Sequence, residues 1–328
     1  MNNGVFVTIV MPALNEERYV ARAIASVLPR SADLAWELLV ADGGSTDATC
    51  EIVERMSASD PRIRLLRNEK RIQAAGVNLG ARHADARATH LVRADCHAEY
   101  PPGFVERCVR TLVETGAGTV VVPMRTRGTT CMQRAVAAAQ NSRLGNGGAA
   151  HRMPGQSGFV DHGHHAAFEL AAFRQVGSYD ESFPHNEDAE LDRRMADAGR
   201  RIYLDAGAVL TYYPRSDLIA LTRQYFRFGT GRANMLIKHR ARPRLRQMLP
   251  VAAFLVCLAS LGLSVVHPAF LSAAAAYALA CLGWGAALAV REGDRCLLLS
   301  GVAAITMHMS WAAGFLLGPR YVPSPSHH

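Results

Sequence analysis

The sequence predicts a doubly wound α/β domain followed by α-helices long enough to cross a membrane. Over roughly the first 210 residues, short apolar runs rich in β-branched side chains alternate with helix-like segments, as in a sheet with helices on both faces. Further on, residues 247–290 contain no Asp, Glu, Lys or Arg. A chain of 328 residues can hold one large domain and such an appendage.

The elements of the α/β part are predicted from the periodicity of the apolar residues. We expect strands at residues 5–11, 36–41, 62–66 and 90–94, and helices at residues 17–28, 48–57, 72–83 and 189–198. In an open α/β sheet, ligands bind beyond the carboxyl ends of the strands. The polar segments that follow these strands are therefore the first candidates for a functional site.

Three polar segments follow strands in this way, and each contains acidic residues. They are Pro12-Ala-Leu-Asn-Glu16, Asp42-Gly-Gly-Ser-Thr-Asp47 and Arg93-Ala-Asp-Cys-His97. None of them shows a GxGxxG fingerprint or a phosphate-binding Gly-Lys pair. An acidic pocket can bind an anionic nucleotide only through a divalent cation or through contacts to its base and ribose.

Three membrane spans are predicted from the apolar C-terminal part of the chain. A single helix over residues 247–290 would be about twice as long as the ~30 Å core of a bilayer, so we expect a break at His267-Pro268. The predicted division of the chain is a domain at 1–214, a basic amphipathic interfacial segment at 215–247, spans within 248–318 at about 249–266, 269–290 and 296–318, and a short tail at 319–328.

The net charge of +8 is concentrated next to the predicted spans. Residues 215–246 contain nine Arg or Lys and one acid, Asp217, while Arg291 and Arg295 follow the second span. By the positive-inside rule these residues lie on the cytoplasmic side. We therefore expect a multi-pass protein of the inner (plasma) membrane with a cytoplasmic N-terminal domain, and membrane lipids rather than nucleic acid as partners of the basic segment.

The seven cysteines form no CxxC pair and no even framework. They are Cys50, Cys96, Cys108, Cys131, Cys257, Cys281 and Cys296. We expect a reducing compartment for the soluble part of the chain, with the cysteines as free thiols that act as small apolar side chains.

Four motifs, in this order, resemble the family 2 glycosyltransferases. They are Pro-x-x-Asn-Glu, Asp-Gly-Gly-Ser-Thr-Asp, Asp95-Cys-His97 and Asn186-Glu-Asp188. The resemblance implies the GT-A fold, a Rossmann-like, doubly wound mixed sheet. Val160-Asp-His-Gly, Gly177-Ser-Tyr-Asp-Glu181 and Arg223-Gln-Tyr-Phe-Arg-Phe-Gly229 are similar to the succinoglycan-type exopolysaccharide glycosyltransferases. The resemblance covers roughly residues 5–235.

The resemblance assigns the first two motifs to a nucleotide-sugar donor. Pro12, Asn15 and Glu16 would line the pocket for the base and ribose, and Asp42 would accept hydrogen bonds from uracil or ribose. From the residues alone, the segment that begins at Asp42 is also typical of a turn followed by a helix cap. The implied donor is a UDP-sugar, with glucose as the sugar.

The third motif is implied to hold a metal ion. Asp95 and His97 stand where the family has an Asp-x-Asp motif that chelates a donor-bound cation, Mn²⁺ or Mg²⁺. A carboxylate suits either ion, whereas an imidazole suits Mn²⁺ better than Mg²⁺. The alternative is that Asp95 binds the ion alone and His97 only lines the site.

Asp188 matches the family's catalytic base. An inverting enzyme needs one carboxylate to take the proton of the acceptor hydroxyl, and no carboxylate nucleophile. The resemblance places Glu187, His164 and His165 on the acceptor side. From the residues alone, Glu187 and Asp188 are also suited to cap the following helix. The spacing in Asp161-His-Gly-His-His165 disfavours a zinc site.

Gln224, Arg227 and Phe228 resemble the Gln-x-x-Arg-Trp motif of processive members, with Phe in place of Trp. The resemblance implies that Arg227 pairs with the donor diphosphate while Gln224 and Phe228 contact the acceptor. The alternative is an interfacial helix whose arginines meet lipid headgroups. Residues 145–158 are expected to form a mobile loop that becomes ordered when the donor binds.

The resulting hypothesis is an inverting glycosyltransferase. It would move glucose from a UDP-sugar onto a polyprenyl-diphosphate-linked saccharide with a β-linkage, in exopolysaccharide or cell-surface polysaccharide synthesis. Two alternatives stay open: a polyprenyl-phosphate glycosyltransferase, and a non-catalytic nucleotide-sugar-binding membrane protein. A nucleic-acid binder is disfavoured because the basic segment adjoins apolar spans and lacks an aromatic platform.

Overall fold

A computed structural model describes residues 4–148 and 155–321 of the chain. The chain forms two compact units, one made of residues 1–125 with 154–212 and the other of residues 126–153 with 213–328. Part of the predicted loop, residues 149–154, and part of the predicted tail, residues 322–328, lie outside the described residues.

Within residues 4–148 and 155–321, eleven strands form two sheets. They are β1 (Phe6–Ala13), β2 (Ala35–Asp42), β3 (Ile63–Arg67), β4 (His90–Arg93), β5 (Ala98–Glu99), β6 (Thr119–Val122), β7 (Met124–Thr126), β8 (Gly158–Val160), β9 (His164–Glu169), β10 (Ile202–Leu204) and β11 (Leu210–Tyr212). The large sheet has the order β3-β2-β1-β4-β9-β6-β10-β8 and the small one β5-β11-β7. The four predicted strands are confirmed as β1 to β4, which are mutually parallel. Since β9 runs antiparallel to β4 and β6, the sheet is mixed, as the resemblance implied.

The described residues of the first unit also form six helices. They are α1 (Val20–Val27), α2 (Thr49–Ser59), α3 (Gln73–His83), α4 (Phe104–Thr115), α7 (Leu170–Gln175) and α8 (Glu187–Asp197). The first three confirm the predicted helices. Helix α8 begins at Glu187 and not at residue 189, so the two acids expected to precede the helix lie in its first turn. Acidic side chains there interact favourably with the positive end of the helix dipole.

Both faces of the large sheet are buried. Along β1, Val7, Ile9 and Met11 point into one core cluster, and Val10 points into the other with Phe168. Burial on both faces explains why β1 reads as a continuous apolar run without alternation. It also brings α3 so close to β1 that a Cβ on Gly80 would lie 2.4 Å from the Val10 side chain.

The parallel register brings the carboxyl ends of β1, β2 and β4 to one edge. Ala13 of β1 is paired with Asp42 of β2, and the Gly43 N–H donates a hydrogen bond of 2.8 Å to the Ala13 carbonyl. The Ala94 N–H, just beyond β4, donates to the Val10 carbonyl at 2.9 Å. The predicted gathering of the three polar segments at this edge is thus confirmed.

The second unit is helical. Its helices are α5 (Cys131–Gln140), α6 (Arg143–Asn146), α9 (Leu218–Lys238), α10 (Leu245–Leu263), α11 (Leu271–Glu292) and α12 (Ser300–Leu317). Including short 3-10 turns, the segments Leu245–Leu263, Pro268–Glu292 and Arg295–Leu317 are long and apolar enough to cross a membrane. As predicted, the break between the first two of these segments falls at His267-Pro268. The His267 ring accepts a hydrogen bond from the Ala269 N–H.

Helix α9, in the predicted interfacial segment, packs directly against the third candidate span. A Cβ on Gly229 would lie 2.0 Å from the Trp311 carbonyl oxygen, and one on Gly314 would lie 1.9 Å from that of Phe226. Glycines that let two helix backbones approach so closely are typical of helix pairs in membranes. Basic α9 is therefore held to α12 by backbone-to-backbone packing.

Two cysteines correct the prediction of seven free thiols. Cys131, at the start of α5, forms a disulfide with Cys296, 165 residues away and just after α11. Beside it, Arg134 pairs with Asp294 at 3.3 Å. Only the packing of α5 against the turn between α11 and α12 brings the two cysteines together.

Adding one methyl group at the contact of α9 and α12 tests this packing. We expect Gly314→Ala to lower the midpoint temperature of unfolding of the full chain in detergent, because the new Cβ meets a backbone carbonyl that cannot rotate away. Gly262→Ala on α10 is the matched control, since nothing lies within 4 Å of its Cβ position. Equal midpoints for the two variants would contradict the described contact.

Candidate active site

Arg93 is the centre of a buried cluster of charges in the first unit. It is the last residue of β4, and its side chain is 4% exposed. Its Nη1 lies 2.5 Å from Asp188 Oδ1 and 3.3 Å from Glu187 Oε1, and its Nε lies 3.5 Å from Asp95 Oδ1. The guanidinium thus contacts two carboxylates with different predicted roles. Asp95 is predicted to bind a metal, and Asp188 is predicted to act as the base. No role for Arg93 was predicted.

The two oxygens of Asp188 have different surroundings. Oδ1 contacts Arg93, the Tyr179 hydroxyl at 3.3 Å and His165 Nδ1 at 3.3 Å. Oδ2 faces His164 Nδ1 at 3.9 Å, and within the described part of the chain no hydrogen bond reaches it. One oxygen is therefore held by three protein groups, whereas the other makes no hydrogen bond to a described residue, and the Asp188 side chain is 18% exposed.

The charges around Asp188 decide its protonation. Burial would raise its pKa, but the Arg93 guanidinium and, after it, the nearby imidazoles of His165 and His164 lower the pKa below the usual range of an aspartate. Burial and the neighbouring Asp188 carboxylate raise the pKa of Glu187. The cluster therefore keeps Asp188 ionised, which a proton-accepting base requires.

His164 lies between the two predicted functional carboxylates. Its Nε2 is 3.6 Å from Asp95 Oδ2, and its Nδ1 faces Asp188. Its side chain is 11% exposed. Its contact with the acceptor stays a prediction.

His165 and Glu187, both predicted to contact an acceptor, are buried. His165 is 1% exposed, and Glu187 is 7% exposed with its carboxylate turned towards Arg93. His165 Nε2 lies 2.8 Å from Asp192 Oδ1. Since the His165 side chain is fully closed to solvent, its predicted contact with an acceptor is corrected to contact with the groups that surround Asp188. The Glu187 side chain is 9% exposed, and its contact with an acceptor stays a prediction.

A pocket opens at the carboxyl edge of the sheet, next to this cluster. Of the predicted residues, Pro12, Glu16, Asp95 and His97 line it. The other lining residues are Ala13, Leu14, Gly43, Asn68, Arg71, Ile72, Gln73 and Cys96. Arg71 supplies a positive charge, and Gln73 Nε2 donates a hydrogen bond of 2.6 Å to Asp95 Oδ1. The pocket can thus receive an anionic ligand despite its acidic residues.

Asn15 and Asp42 shape the wall of this edge. The Asp42 carboxylate accepts hydrogen bonds from the N–H groups of Gly44 at 2.8 Å and Ser45 at 3.0 Å, so the turn interpretation is confirmed. Asn15 has a left-handed backbone with φ of 56°, and its Oδ1 accepts from the Thr46 N–H at 2.8 Å. Asn15 thus joins the loop after β1 to the loop after β2, whereas Asp42 closes the turn within the loop after β2.

Asp95 and His97 are a sparse but suitable donor set for a metal ion. His97 Nδ1 lies 3.6 Å from Glu16 Oε1, and its side chain is 40% exposed at the pocket. Among the described residues, no group of three or more His, Cys, Asp or Glu is arranged to hold a metal. Mg²⁺ is commonly held in this way by one or two carboxylates together with substrate phosphates, and imidazole suits Mn²⁺. The residues present therefore fit a cation that arrives with a diphosphate.

Three further predicted residues belong to the second unit. Gln224, Arg227 and Phe228 lie on α9, where Arg227 is exposed and the Phe228 ring meets the Tyr225 ring edge-on at 5.6 Å. Their roles towards donor and acceptor stay predictions.

Sequence reasoning missed Arg93, Tyr179, Gln73, Asp192 and Arg71. One signal was available for Arg93, which is a charged residue in an otherwise apolar run. A second was available for Asp192, which follows Asp188 by one helical turn and so shares its face of α8. Tyr179 lies in the motif Gly177-Ser-Tyr-Asp-Glu181, to which no role was assigned, and Arg71 and Gln73 lie in no quoted motif.

Comparison with known sequences identifies relatives over nearly the whole chain. Residues 8–177 match the profile of Glycosyl transferase family 2. The chain is 45% identical to the succinoglycan biosynthesis protein ExoA of Rhizobium meliloti over 307 residues, which are 94% of this chain and 93% of that protein. A shorter likeness, 39% over 90 residues, links 27% of the chain to 34% of the Escherichia coli UDP-Glc:alpha-D-GlcNAc-diphosphoundecaprenol beta-1,3-glucosyltransferase WfgD.

A solved structure shares the fold. The mannosyltransferase PcManGT from Pyrobaculum calidifontis, in complex with GDP-Man and Mn²⁺, superposes with a TM-score of 0.57 at 21% sequence identity. The match covers 95% of this chain and 87% of that one. At this identity the likeness supports the GT-A fold.

Removing the charge of Arg93 should destabilise the first unit. We expect Arg93→Leu to lower the free energy of unfolding by roughly 3–5 kcal/mol, because it leaves buried carboxylates without a counter-charge. Denaturant unfolding of the purified full chain measures this loss. Arg193→Leu is the control, since Arg193 makes an exposed pair with Asp197 and such pairs contribute little. Similar losses for both variants would show that the Arg93 cluster is not an important source of stability.

Proposed function

The chain belongs to glycosyl transferase family 2, and we propose that it transfers a sugar with inversion from a nucleotide-diphosphate sugar to a hydroxyl of a lipid-linked saccharide. The observation that carries the proposal is the single ionised carboxylate of Asp188, whose Oδ1 is held by three protein groups and whose Oδ2 makes no hydrogen bond to a described residue. Arg93 and His164 each contact both this carboxylate and Asp95, which lines the pocket. The proposed base, Asp188, is thus linked to the pocket residue Asp95 through the side chain of Arg93 and also through that of His164.

In the proposed reaction the acceptor hydroxyl donates a hydrogen bond to Asp188 Oδ2. As its oxygen forms a bond to the anomeric carbon, its proton passes to Asp188, and the bond from that carbon to the diphosphate oxygen breaks. Displacement from the opposite face inverts the configuration, so an α-linked donor gives a β-linked product. Arg93 contributes by keeping Asp188 ionised before the transfer.

The proposed donor is a UDP-sugar, with glucose as the sugar. Pro12, Asn15, Glu16 and Asp42 are proposed to form the walls for the base and ribose, with Arg71 in the same pocket to offset the diphosphate charge. The WfgD relative is named for the use of UDP-Glc. Its name supports this choice of donor for the present chain.

Asp95 and His97 are proposed to hold Mn²⁺ or Mg²⁺ with the donor. The cation would supply Lewis-acid stabilisation of the charge that develops on the leaving diphosphate. Gln73 supports this role because its amide fixes Asp95 Oδ1 and leaves Oδ2 towards His164. The known complex of PcManGT with GDP-Man and Mn²⁺ is consistent with the proposal.

The proposed acceptor is a polyprenyl-diphosphate-linked saccharide in exopolysaccharide biosynthesis. The extensive likeness to the succinoglycan biosynthesis protein ExoA supports the pathway class, and the three candidate spans support a membrane-bound acceptor. We place the enzyme in the inner membrane with its α/β unit cytoplasmic, following the basic residues that flank the spans.

Replacing Asp188 tests the base and the nature of the nucleophile. We expect Asp188→Asn to lower kcat about 10²–10⁴-fold, because an amide cannot accept the acceptor proton. The assay follows UDP release from a panel of UDP-sugars, using membranes that contain the full chain and a lipid extract. Asp197→Asn, an exposed change on the same helix, should retain full activity. An active Asp188→Asn enzyme would indicate a nucleophile that is already ionised, as in a polyprenyl-phosphate glycosyltransferase.

Removing the metal tests Asp95. We expect UDP to bind the full chain by calorimetry only when Mn²⁺ or Mg²⁺ is present, and EDTA to abolish both binding and transfer. Asp95→Asn should weaken the metal-dependent binding of UDP at least about tenfold. Replacing even an indirect partner of a metal ligand typically lowers metal affinity or activity about 10–100-fold. Asp33→Asn, at an exposed position, serves as the control. Binding of UDP that is the same with EDTA would overturn the metal assignment.

A further inference from the structure

Behind Asp188 lies a row of hydrogen-bonding side chains that the proposed reaction does not use. We name Tyr179, His165, Asp192 and His162 the histidine array. His165 Nδ1 lies 2.6 Å from the Tyr179 hydroxyl, His165 Nε2 lies 2.8 Å from Asp192 Oδ1, and Asp192 Oδ2 lies 2.7 Å from His162 Nδ1. The row begins at Asp188 Oδ1, which both Tyr179 and His165 approach within 3.3 Å.

The array is closed to solvent over most of its length. The side chains of His165 and Asp192 are 0% and 2% exposed, and only His162 at the far end is 23% exposed. The His165 ring packs between Phe168, edge-on at 5.1 Å, and Tyr179, stacked at 5.8 Å. No substrate can reach His165 or Asp192 in this arrangement, so their effect on the reaction must pass through Asp188.

Two elements meet to build the array. Asp188 and Asp192 are one turn apart on α8 and so share one face of the helix. His165 lies on β9 where its pairing with β6 shifts register between Val120 and Val121, a bulge that re-aims the neighbouring side chains. The bulged strand presents His164 to Asp95 and His165 to Asp192.

Burying an imidazole beside a carboxylate is costly, and apolar residues of similar size would fill the same space without that cost. Burial would lower the pKa of His165, but Asp192 and Asp188 raise it above its usual value. The two carboxylates that flank the ring therefore favour its protonated form. A charged pair of this kind, adjacent to a catalytic base, is suited to orient that base.

We propose that His165 and Asp192 are positioning residues for the catalytic base. Asp192 fixes the His165 ring through Nε2, and the ring then holds Asp188 Oδ1 together with Tyr179, so that Oδ2 is turned towards the acceptor hydroxyl. His162 fixes the second oxygen of Asp192 at the outer end. The inference rests on the proposed role of Asp188 as base. It assigns the sequence segment Asp161-His-Gly-His-His165 to support of that base.

The expected effect is on the chemical step. A misplacement of about 1 Å at a reacting group can cost roughly 10²-fold in rate even when the altered residue is remote from the chemistry. We therefore expect His165→Gln and Asp192→Asn each to lower kcat about 10–100-fold. The donor KM and metal-dependent UDP binding should stay within about twofold, because neither residue lines the donor pocket.

A double-mutant cycle with Asp188→Asn separates positioning from a general loss of structure. If His165 acts only through Asp188, adding His165→Gln to Asp188→Asn should cause no further fall in the residual rate. Asp197→Asn on the outer face of α8 is the matched control and should leave the rate unchanged in both backgrounds. Thermal unfolding of each variant in detergent shows whether the fold is retained.

The outcomes separate the two proposals. Full activity of Asp188→Asn would overturn the base itself. Two outcomes would overturn the positioning role and leave the proposed base intact, provided that Asp188→Asn is inactive. In the first, His165→Gln is fully active. In the second, the losses of the two single variants multiply in the double variant. Loss of UDP binding in a folded His165→Gln protein would also overturn it, since the effect would then lie at the donor pocket.

Discussion

A guanidinium that is removed from water has to be surrounded by counter-charges, and this requirement organises the first unit around Arg93. Its partners come from separate parts of the chain: Asp95 follows β4, whereas Glu187 and Asp188 open α8. The pairing draws the start of α8 onto the carboxyl edge of the sheet. The same pairing that stabilises the fold therefore also places a carboxylate beside the donor pocket.

This arrangement sets the chemical character of Asp188. The cationic neighbours keep it ionised, but they also lower its affinity for the proton it is proposed to accept. Geometry must then compensate for weak basicity, and Oδ1, held by three protein groups, supplies that geometry. Arg93, His165, Asp188 and Asp192 lie on β4, β9 and α8, whereas the pocket is lined mainly by the loops that follow the strands at the carboxyl edge of the sheet.

The second unit is held together by a different principle. Apolar burial cannot bring helices together inside a membrane, so close contact relies on small residues and specific bonds. Here Gly229 and Gly314 allow the backbones of α9 and α12 to meet, and the Cys131–Cys296 disulfide joins the inserted helix α5 to the turn before α12. The segment 126–153, which interrupts the α/β unit in sequence, thus belongs structurally to the helices that follow it.

The sequence by itself located the elements whose local pattern is strongest. Runs of apolar residues located β1 to β4, the length of the apolar segments located the three candidate spans, and the polar ends of the strands located the pocket. Only the tertiary structure decided which distant side chains pair, because burial and charge select partners regardless of their separation. Arg93 meets Asp188 across 95 positions and Cys131 meets Cys296 across 165, and no local pattern records either contact.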